Sequence, residues 1–173
     1  MKKLDKSKGV VFWITGLPGS GKTLLANLIQ DEINSIYGKS IVVSGDDLRN
    51  IFNLKGYTAE DRKKYLLSYN KFCEFITNQK INIIFAVVGL YDSIRKKNKQ
   101  SLKNYIEIFI DADINEIIKF NKKKIYKKNK NLYGVDIKTE LPKKPDITIK
   151  NDLKISKKRL QKILITKILN HTK

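Results

Sequence analysis

Short apolar runs alternate with longer amphipathic segments along the chain. The apolar runs predict strands at 10–15, 40–43, 81–88, 105–110 and 147–149. Helical spacing of apolar residues predicts helices near 22–37, 46–52, 59–78, 114–120 and 156–169. Apolar strands separated by helices are typical of a parallel sheet that helices cover on both faces. The pattern therefore predicts an α/β fold, with ligands at the carboxyl ends of the strands.

One segment breaks this alternation. Residues 121–145 are rich in lysine, contain Gly134 and two prolines, and are longer than most connections. Long irregular segments of compact domains commonly close over a site, so we predict a lysine-rich lid there. The length of 173 residues otherwise predicts one domain over 1–173.

The first strand runs into a glycine-rich turn that opens a helix. Residues 16–23 read G-L-P-G-S-G-K-T, which fits the phosphate-loop pattern G-x-x-x-x-G-K-[ST]. Backbone N–H groups of such a loop surround a phosphate, while Lys22 reaches the β/γ-phosphates and the Thr23 hydroxyl binds Mg²⁺. The predicted nucleotide-binding residues are Gly16, Gly19, Ser20, Gly21, Lys22, Thr23 and Leu24. The loop predicts that the protein binds a nucleoside triphosphate with Mg²⁺.

Two carboxylates follow the second strand in the run S-G-D-D-L-R over residues 44–49. This end of the strand lies beside the phosphate loop in a doubly wound sheet, where a carboxylate can accept a proton from a hydroxyl or hold Mg²⁺ through water. Either residue could instead cap the following helix. We predict catalysis and metal contact for Asp46, and capping or solvent exposure for Asp47. The chain has no Cys/His cluster that suits zinc.

An aromatic residue and an arginine follow in the run G-Y-T-A-E-D-R over residues 56–62. Tyr57 could stack on a base and Arg62 could bind a phosphate. Packing and surface exposure are the ordinary roles of these residue types. Thr58 and Asp61 have the spacing of a capping box.

The net charge of +19 raises a nucleic-acid hypothesis. Almost all of the positive charge is lysine, with arginine at only four positions, whereas readers of nucleic acid use arginine for bidentate contacts. The abundance of lysine, isoleucine and asparagine is typical of an AT-rich genome. We therefore favour small polyanions as ligands over nucleic acid. The absence of an apolar run of membrane-spanning length, of a signal peptide and of a second cysteine predicts a cytoplasmic protein.

These motifs together resemble the adenylylsulfate (APS) kinases. The shared runs are 12–23, 45–49 and 56–62, and the resemblance continues through K-K-I-Y-K-K at 123–128 and the G-V-D at 134–136. It implies a P-loop kinase that transfers the γ-phosphoryl group of ATP, with Mg²⁺, to the 3′-hydroxyl of a 5′-nucleotide derivative. It also implies a homodimer.

The resemblance implies a role for each matching residue. Asp46 corresponds to the base-like aspartate of the family, and Lys22 and Lys123 act on the transferring group. The implied substrate-binding residues are Arg49, Tyr57, Arg62, Lys123, Lys127 and Tyr133.

The chain departs from the family on the acceptor side. Where APS kinases read N-I-R-R, residues 65–68 are Y-L-L-S; where they read F-I-S-P-Y-R, residues 87–92 are V-V-G-L-Y-D. Ser44 replaces the acidic residue that opens the family's D-G-D. Each lost charged hydrogen bond would weaken sulfate-anhydride binding by roughly 1.5–3 kcal/mol. The acceptor is therefore predicted to differ, while the ATP side is kept.

Cytidine diphosphoramidate kinases of capsule biosynthesis are a branch that resembles APS kinases in this way. An uncharged amide in place of sulfate needs fewer cationic contacts, which favours this branch over a true APS kinase. Two other classes are open: a nucleic-acid-binding P-loop protein such as a polynucleotide kinase, and a regulator that binds nucleotide without turnover.

Overall fold

Five parallel strands form one sheet in the order β2-β3-β1-β4-β5. The computed structural model of the protein describes residues 3–120, 133, 137 and 139–172. The strands are β1 Val11–Gly16, β2 Ser40–Ser44, β3 Asn82–Ala86, β4 Tyr105–Asp111 and β5 Ile147–Lys150. The predicted parallel α/β sheet is confirmed, with β1 at its centre between β3 and β4.

Seven helices connect or follow these strands in the described part of the chain. They are α1 Lys22–Leu28, α2 Gln30–Tyr37, α3 Gly45–Ile51, α4 Ala59–Asn78, α5 Asp92–Ser101, α6 Ile114–Lys119 and α7 Lys157–Thr172. The predicted helix at 22–37 is divided at Ile29, although backbone hydrogen bonds continue across it, from Ile29 to Leu25 and from Ile33 to Ile29. None of the described helices is both long and apolar enough to cross a membrane.

The helix α5 is absent from the prediction. Its ten residues are almost all polar, so no apolar periodicity marks it. Three of its residues are nevertheless buried, namely Ile94, Arg95 and Asn98. The helix is therefore held by polar contacts across the fold rather than by an apolar stripe.

Alternate residues of β1 pack on opposite faces of the sheet. Phe12 and Ile14 belong to a core that includes Leu25 of α1 and Leu164 of α7. Trp13 belongs to a second core, with Leu48 of α3, Leu66 of α4 and Ile94 of α5. Because side chains of a strand point alternately to its two faces, one central strand supports both layers of helices.

Candidate active site

The site lies at the edge of the sheet where the central strands end. Strand β1 ends at Gly16 and leads into the glycine-rich loop, while β2 ends at Ser44 and leads into α3. Strand β3, which lies between them, ends at Ala86. The phosphate loop and the predicted catalytic aspartate thus follow strands on either side of β3, at the carboxyl edge of the sheet where parallel sheets bind ligands.

The glycines of the loop adopt backbone conformations that other residues rarely reach. Gly16, Gly19 and Gly21 have φ angles of 152°, 82° and 95°. Gly21 caps α1, and a Cβ atom there would lie 3.0 Å from Nδ2 of Asn151. The loop therefore needs glycine at position 21 both for its backbone angle and for its space.

Polar groups of the loop are turned inward. The Ser20 hydroxyl is buried and has no hydrogen-bond partner among the described residues, although a buried hydroxyl normally has one. Lys22 is only 8% exposed as a whole residue, and its ammonium donates to the carbonyl of Leu17 at 2.8 Å. Thr23 and Leu24, by contrast, are exposed at the start of α1. These groups suit an anion that supplies acceptors to the loop.

Asn151 supports the loop from the end of β5, and the sequence analysis missed it. Its side-chain amide donates to the carbonyl of Ser20 at 2.9 Å, and its backbone N–H donates to Asp111 at 2.8 Å. Its side chain is buried. Nothing in the local sequence marks this asparagine, because its partner is 131 residues away.

The two aspartates after β2 have different surroundings. Ser44 is the N-cap of α3, and its hydroxyl accepts the N–H of Asp47 at 3.1 Å. The Asp47 carboxylate accepts both the backbone N–H and the hydroxyl of Ser44, each at 2.8 Å. Capping by Asp47 is thus confirmed, and Ser44 is its partner in the capping box. Asp46 is exposed beside them, and its catalytic role stays a prediction.

Tyr69 of α4 lies beneath this turn. Its hydroxyl donates to the carbonyl of Gly45 at 3.3 Å. Burial, opposed by Arg49 and aided by the nearby Asp46 carboxylate, raises the pKa of Tyr69 to about 12. The phenol is therefore protonated at neutral pH and holds the backbone next to Asp46. Sequence reasoning missed this residue as well.

Three of the predicted substrate-binding residues meet in one cluster. The Arg49 guanidinium carbon lies 4.0 Å from the ring centroid of Tyr57, which is 55% exposed. Arg62 lies 5.6 Å from the same ring, and its Nε donates to the carbonyl of Tyr57 at 3.0 Å. The structure thus gathers two cations around one aromatic ring, which is a suitable arrangement for a planar base and its phosphates.

Tyr133 supports this cluster from below. Its ring is 2% exposed and contacts Tyr91 edge-on, with centroids 5.9 Å apart. The Arg62 guanidinium carbon lies 4.6 Å above the ring. Burial is the main cause that raises the pKa of Tyr133 well above its ordinary value. The neighbouring Tyr91 adds to the rise, and Arg62 opposes it. The predicted lid residues Lys123 and Lys127, with Lys128, lie outside the described residues.

A cluster of charged side chains around the buried Arg95 contacts residues 87–92, where the sequence differs from the family. Glu107 of β4 pairs with Arg95 Nε at 3.1 Å and with Lys99 Nζ at 3.0 Å. Asp92, which takes the place of a family arginine, pairs with Arg95 as well. Burial raises the pKa of Glu107, and the two cations oppose that rise. The charge of Arg95 is therefore matched inside the protein.

The described residues contain no group of three or more His, Cys, Asp or Glu side chains that could hold a metal ion. Mg²⁺ in phosphoryl-transfer sites is bound through one or two protein oxygens together with phosphates and waters. The exposed Thr23 hydroxyl and Asp46 carboxylate are oxygen ligands of the kind that Mg²⁺ prefers. The residues present fit a metal that is bound together with a nucleotide.

Comparison with known proteins agrees with this architecture. The family model described as adenylylsulphate kinase matches residues 8–150. The cytidine diphosphoramidate kinase of Campylobacter jejuni is 32% identical over 168 residues, which cover 94% of this chain and 98% of that relative. The adenylyl-sulfate kinase of Clostridium acetobutylicum is 31% identical over 155 residues, which cover 86% of this chain and 78% of that relative.

Solved structures share the fold. The APS kinase of Mycobacterium tuberculosis, in complex with AMPPNP and APS, has a TM-score of 0.84 at 21% identity, covering 94% of this chain and 98% of that one. The predicted P-loop kinase fold is confirmed by this likeness and by the sheet order. From the family match over most of its length and from its relatives, the chain belongs to the adenylylsulphate kinase family.

Proposed function

We propose that this protein transfers the γ-phosphoryl group of ATP to the 3′-hydroxyl of cytidine 5′-diphosphoramidate, on a route to phosphoramidate-decorated capsular polysaccharide. The observation that carries the proposal is the contrast within the site. The phosphate loop is complete, whereas Asp92 occupies the position of a family arginine and pairs with the buried Arg95. The relative from Campylobacter jejuni, whose name specifies this acceptor, supports the choice.

The phosphate loop and Lys22 hold the β- and γ-phosphates of ATP. Inward polar groups of the loop, such as the Ser20 hydroxyl, gain acceptors when the phosphates bind. Thr23 and, through water, Asp46 would hold Mg²⁺, which would supply positive charge to balance the charge that develops on the phosphates. The family resemblance predicts that Lys123 and Lys127, with Lys128, act on the transferring group and exclude water from it.

Asp46 orients the acceptor hydroxyl and takes its proton. The 3′-oxygen then bonds to the γ-phosphorus, the bond from that phosphorus to the β,γ-bridging oxygen breaks, and ADP leaves. Tyr69 keeps the backbone next to Asp46 in place through Gly45. The carboxylate needs this fixed position because transfer requires the reacting oxygen in line with the leaving group.

The acceptor base stacks on Tyr57, and its phosphates meet Arg49 and Arg62. Tyr133 is buried and acts on the acceptor only through Arg62, whose guanidinium packs on the Tyr133 ring. A diphosphoramidate carries an uncharged amide where APS carries sulfate, so it needs fewer cations than APS. The replacement of a family arginine by Asp92, which pairs with Arg95, agrees with this smaller number of cations.

ATP consumption by the purified protein tests the proposal with three compounds: cytidine 5′-diphosphoramidate, APS and CDP. We expect turnover on the cytidine diphosphoramidate alone. Turnover on APS alone would contradict the proposal and support the second candidate, an adenylyl-sulfate kinase of sulfate activation, which the relative from Clostridium acetobutylicum favours. The homodimer stays a prediction, which light scattering on the purified protein tests.

A further inference from the structure

Tyr65 occupies the position of the family's asparagine and contacts the turn that carries Tyr57. It lies on α4 and is half-buried. Its hydroxyl accepts the backbone N–H of Gly56 at 3.1 Å. The ring of Tyr65 also lies under Arg49, whose guanidinium carbon is 5.2 Å from the ring centroid.

The peptide groups of Gly56 are held from both sides. Arg49 donates from its guanidinium to the Gly56 carbonyl at 3.0 Å, while Tyr65 accepts the Gly56 N–H. A Cβ atom at Gly56 would lie 2.8 Å from the Tyr65 hydroxyl and 2.4 Å from the Asp61 carboxylate. A residue other than glycine would therefore displace the ends of both side chains from the turn.

This arrangement connects three groups of the acceptor side. Tyr65 holds the N–H of Gly56, and it also carries the guanidinium of Arg49 on its ring. Arg49 in turn holds the Gly56 carbonyl and covers the Tyr57 ring. An asparagine would offer a shorter polar side chain and no ring under Arg49. The positions of Tyr57 and Arg49 in this chain thus depend on Tyr65, which in the family pattern is only the replacement of an asparagine.

We propose that Tyr65 is a positioning residue for the nucleotide acceptor: it holds the Gly56–Tyr57 turn and the Arg49 guanidinium in the geometry that binds the base and its phosphates. This inference rests on the proposed function, because it assigns the acceptor to Tyr57 and Arg49. It leaves the ATP side unaffected, since no described contact of Tyr65 reaches the phosphate loop. Because Tyr65 and Arg49 already hold the turn before the acceptor binds, the turn loses less conformational entropy when the acceptor stacks on it.

The test compares Tyr65→Phe, which removes one hydroxyl and keeps the ring, with Tyr65→Asn, the family residue. Tyr37→Phe is the matched control, because its hydroxyl bonds to Thr172 at 2.6 Å, away from the strand ends that form the site. Kinetics use whichever of cytidine 5′-diphosphoramidate and APS the wild-type protein phosphorylates. Amide hydrogen exchange of Gly56, followed by NMR, reports the hydrogen bond itself.

For Tyr65→Phe we expect the KM for the acceptor to rise about fivefold, the ratio for loss of one neutral hydrogen bond. The kcat and the KM for ATP stay at wild-type values, and the Gly56 amide exchanges faster. Tyr65→Asn raises the acceptor KM further, because Arg49 also loses its ring. Tyr37→Phe changes none of these quantities, although it can lower thermal stability.

Three results would overturn the role of Tyr65. An unchanged acceptor KM in Tyr65→Phe would show that the turn does not govern binding, whatever the exchange rate. A raised KM with unchanged Gly56 exchange would mean that the hydroxyl contacts the acceptor directly. A wild-type protein that phosphorylates neither compound would refute the proposed function and this role with it, whereas turnover on APS alone would refute only the choice of acceptor.

Discussion

The two sides of the site are built differently. The ATP side consists of a glycine-rich loop whose backbone and buried polar groups face inward, and it retains the family pattern throughout. The acceptor side consists of side chains from α3, from α4 and from the turn between them that contact one another, and it differs from the family at several positions. A loop that binds through backbone groups tolerates few changes, because its glycine conformations are required by the backbone path. A surface of side chains can change its ligand by exchange of a few residues.

The arginines of the chain also differ in the groups that surround their charge. Arg49 and Arg62 lie over aromatic rings at the surface of the site. Arg95 is buried and is paired with carboxylates. An aromatic ring carries no net charge to balance that of a cation lying over it, whereas a buried ion pair has its charge balanced by the protein. The number of arginines therefore overstates the positive charge that an acceptor meets.

The largest effect expected is on turnover, from Asp46→Asn. Loss of a general base lowers the rate roughly 10²- to 10⁴-fold, and we expect this loss in kcat with an unchanged KM for ATP. Asp47→Asn is the control, because Asp47 is in the capping box. It should lower stability by about 1 kcal/mol and leave kcat unchanged. Wild-type kcat in Asp46→Asn, measured by ADP release, would refute the assignment.

Glu107→Gln tests the buried ion cluster of Arg95. The variant leaves Arg95 without the more deeply buried of its two carboxylate partners, so the free energy of unfolding should fall by about 3 kcal/mol. Lys99→Ala removes a partner that is 41% exposed and should cost less than about 1 kcal/mol. Urea denaturation measures both. Equal effects of the two variants would show that burial of Arg95 does not depend on Glu107.

Asn151→Ala tests the support of the ATP side. The carbonyl of Ser20 loses its buried donor, so stability should fall by about 1–3 kcal/mol and the KM for ATP should rise, with the acceptor KM unchanged. Asn104→Ala is the control, since its buried amide bonds to backbone carbonyls at the start of β1, away from the site. It should lower stability and leave both KM values alone. A raised acceptor KM in Asn151→Ala would contradict the separation of the two sides.

The smallest expected effect comes from restoring the family's arginines by Leu67→Arg with Ser68→Arg. Both positions are exposed, so folding should be unaffected. One charge-assisted contact would shift the ratio of kcat/KM for APS over cytidine diphosphoramidate about tenfold toward APS. Phe75→Arg with Gln79→Arg adds the same charge at the carboxyl end of α4 and its C-cap as a control. An equal shift in the control would mean that net charge alone sets the preference.

Local pattern accounts for what the sequence predicted correctly. The buried strands, the glycine loop, the capping box at Thr58 and the capping by Asp47 are made by residues close together in the chain. Their geometry follows from backbone conformation and short-range hydrogen bonds, so the pattern of residues is sufficient to predict them. The family and its P-loop fold followed from the same motifs.

Only the tertiary structure decided which side chains support the site. The helix α5 has no apolar periodicity and forms because Arg95 and Asn98 find buried partners. Asn151 bonds to the phosphate loop across 131 residues. Tyr65, which the sequence shows only as a lost asparagine, holds the Gly56 turn. The sequence alone determined the backbone of the phosphate loop, because local conformation creates it; the acceptor side depended on contacts between distant residues, which no local pattern contains.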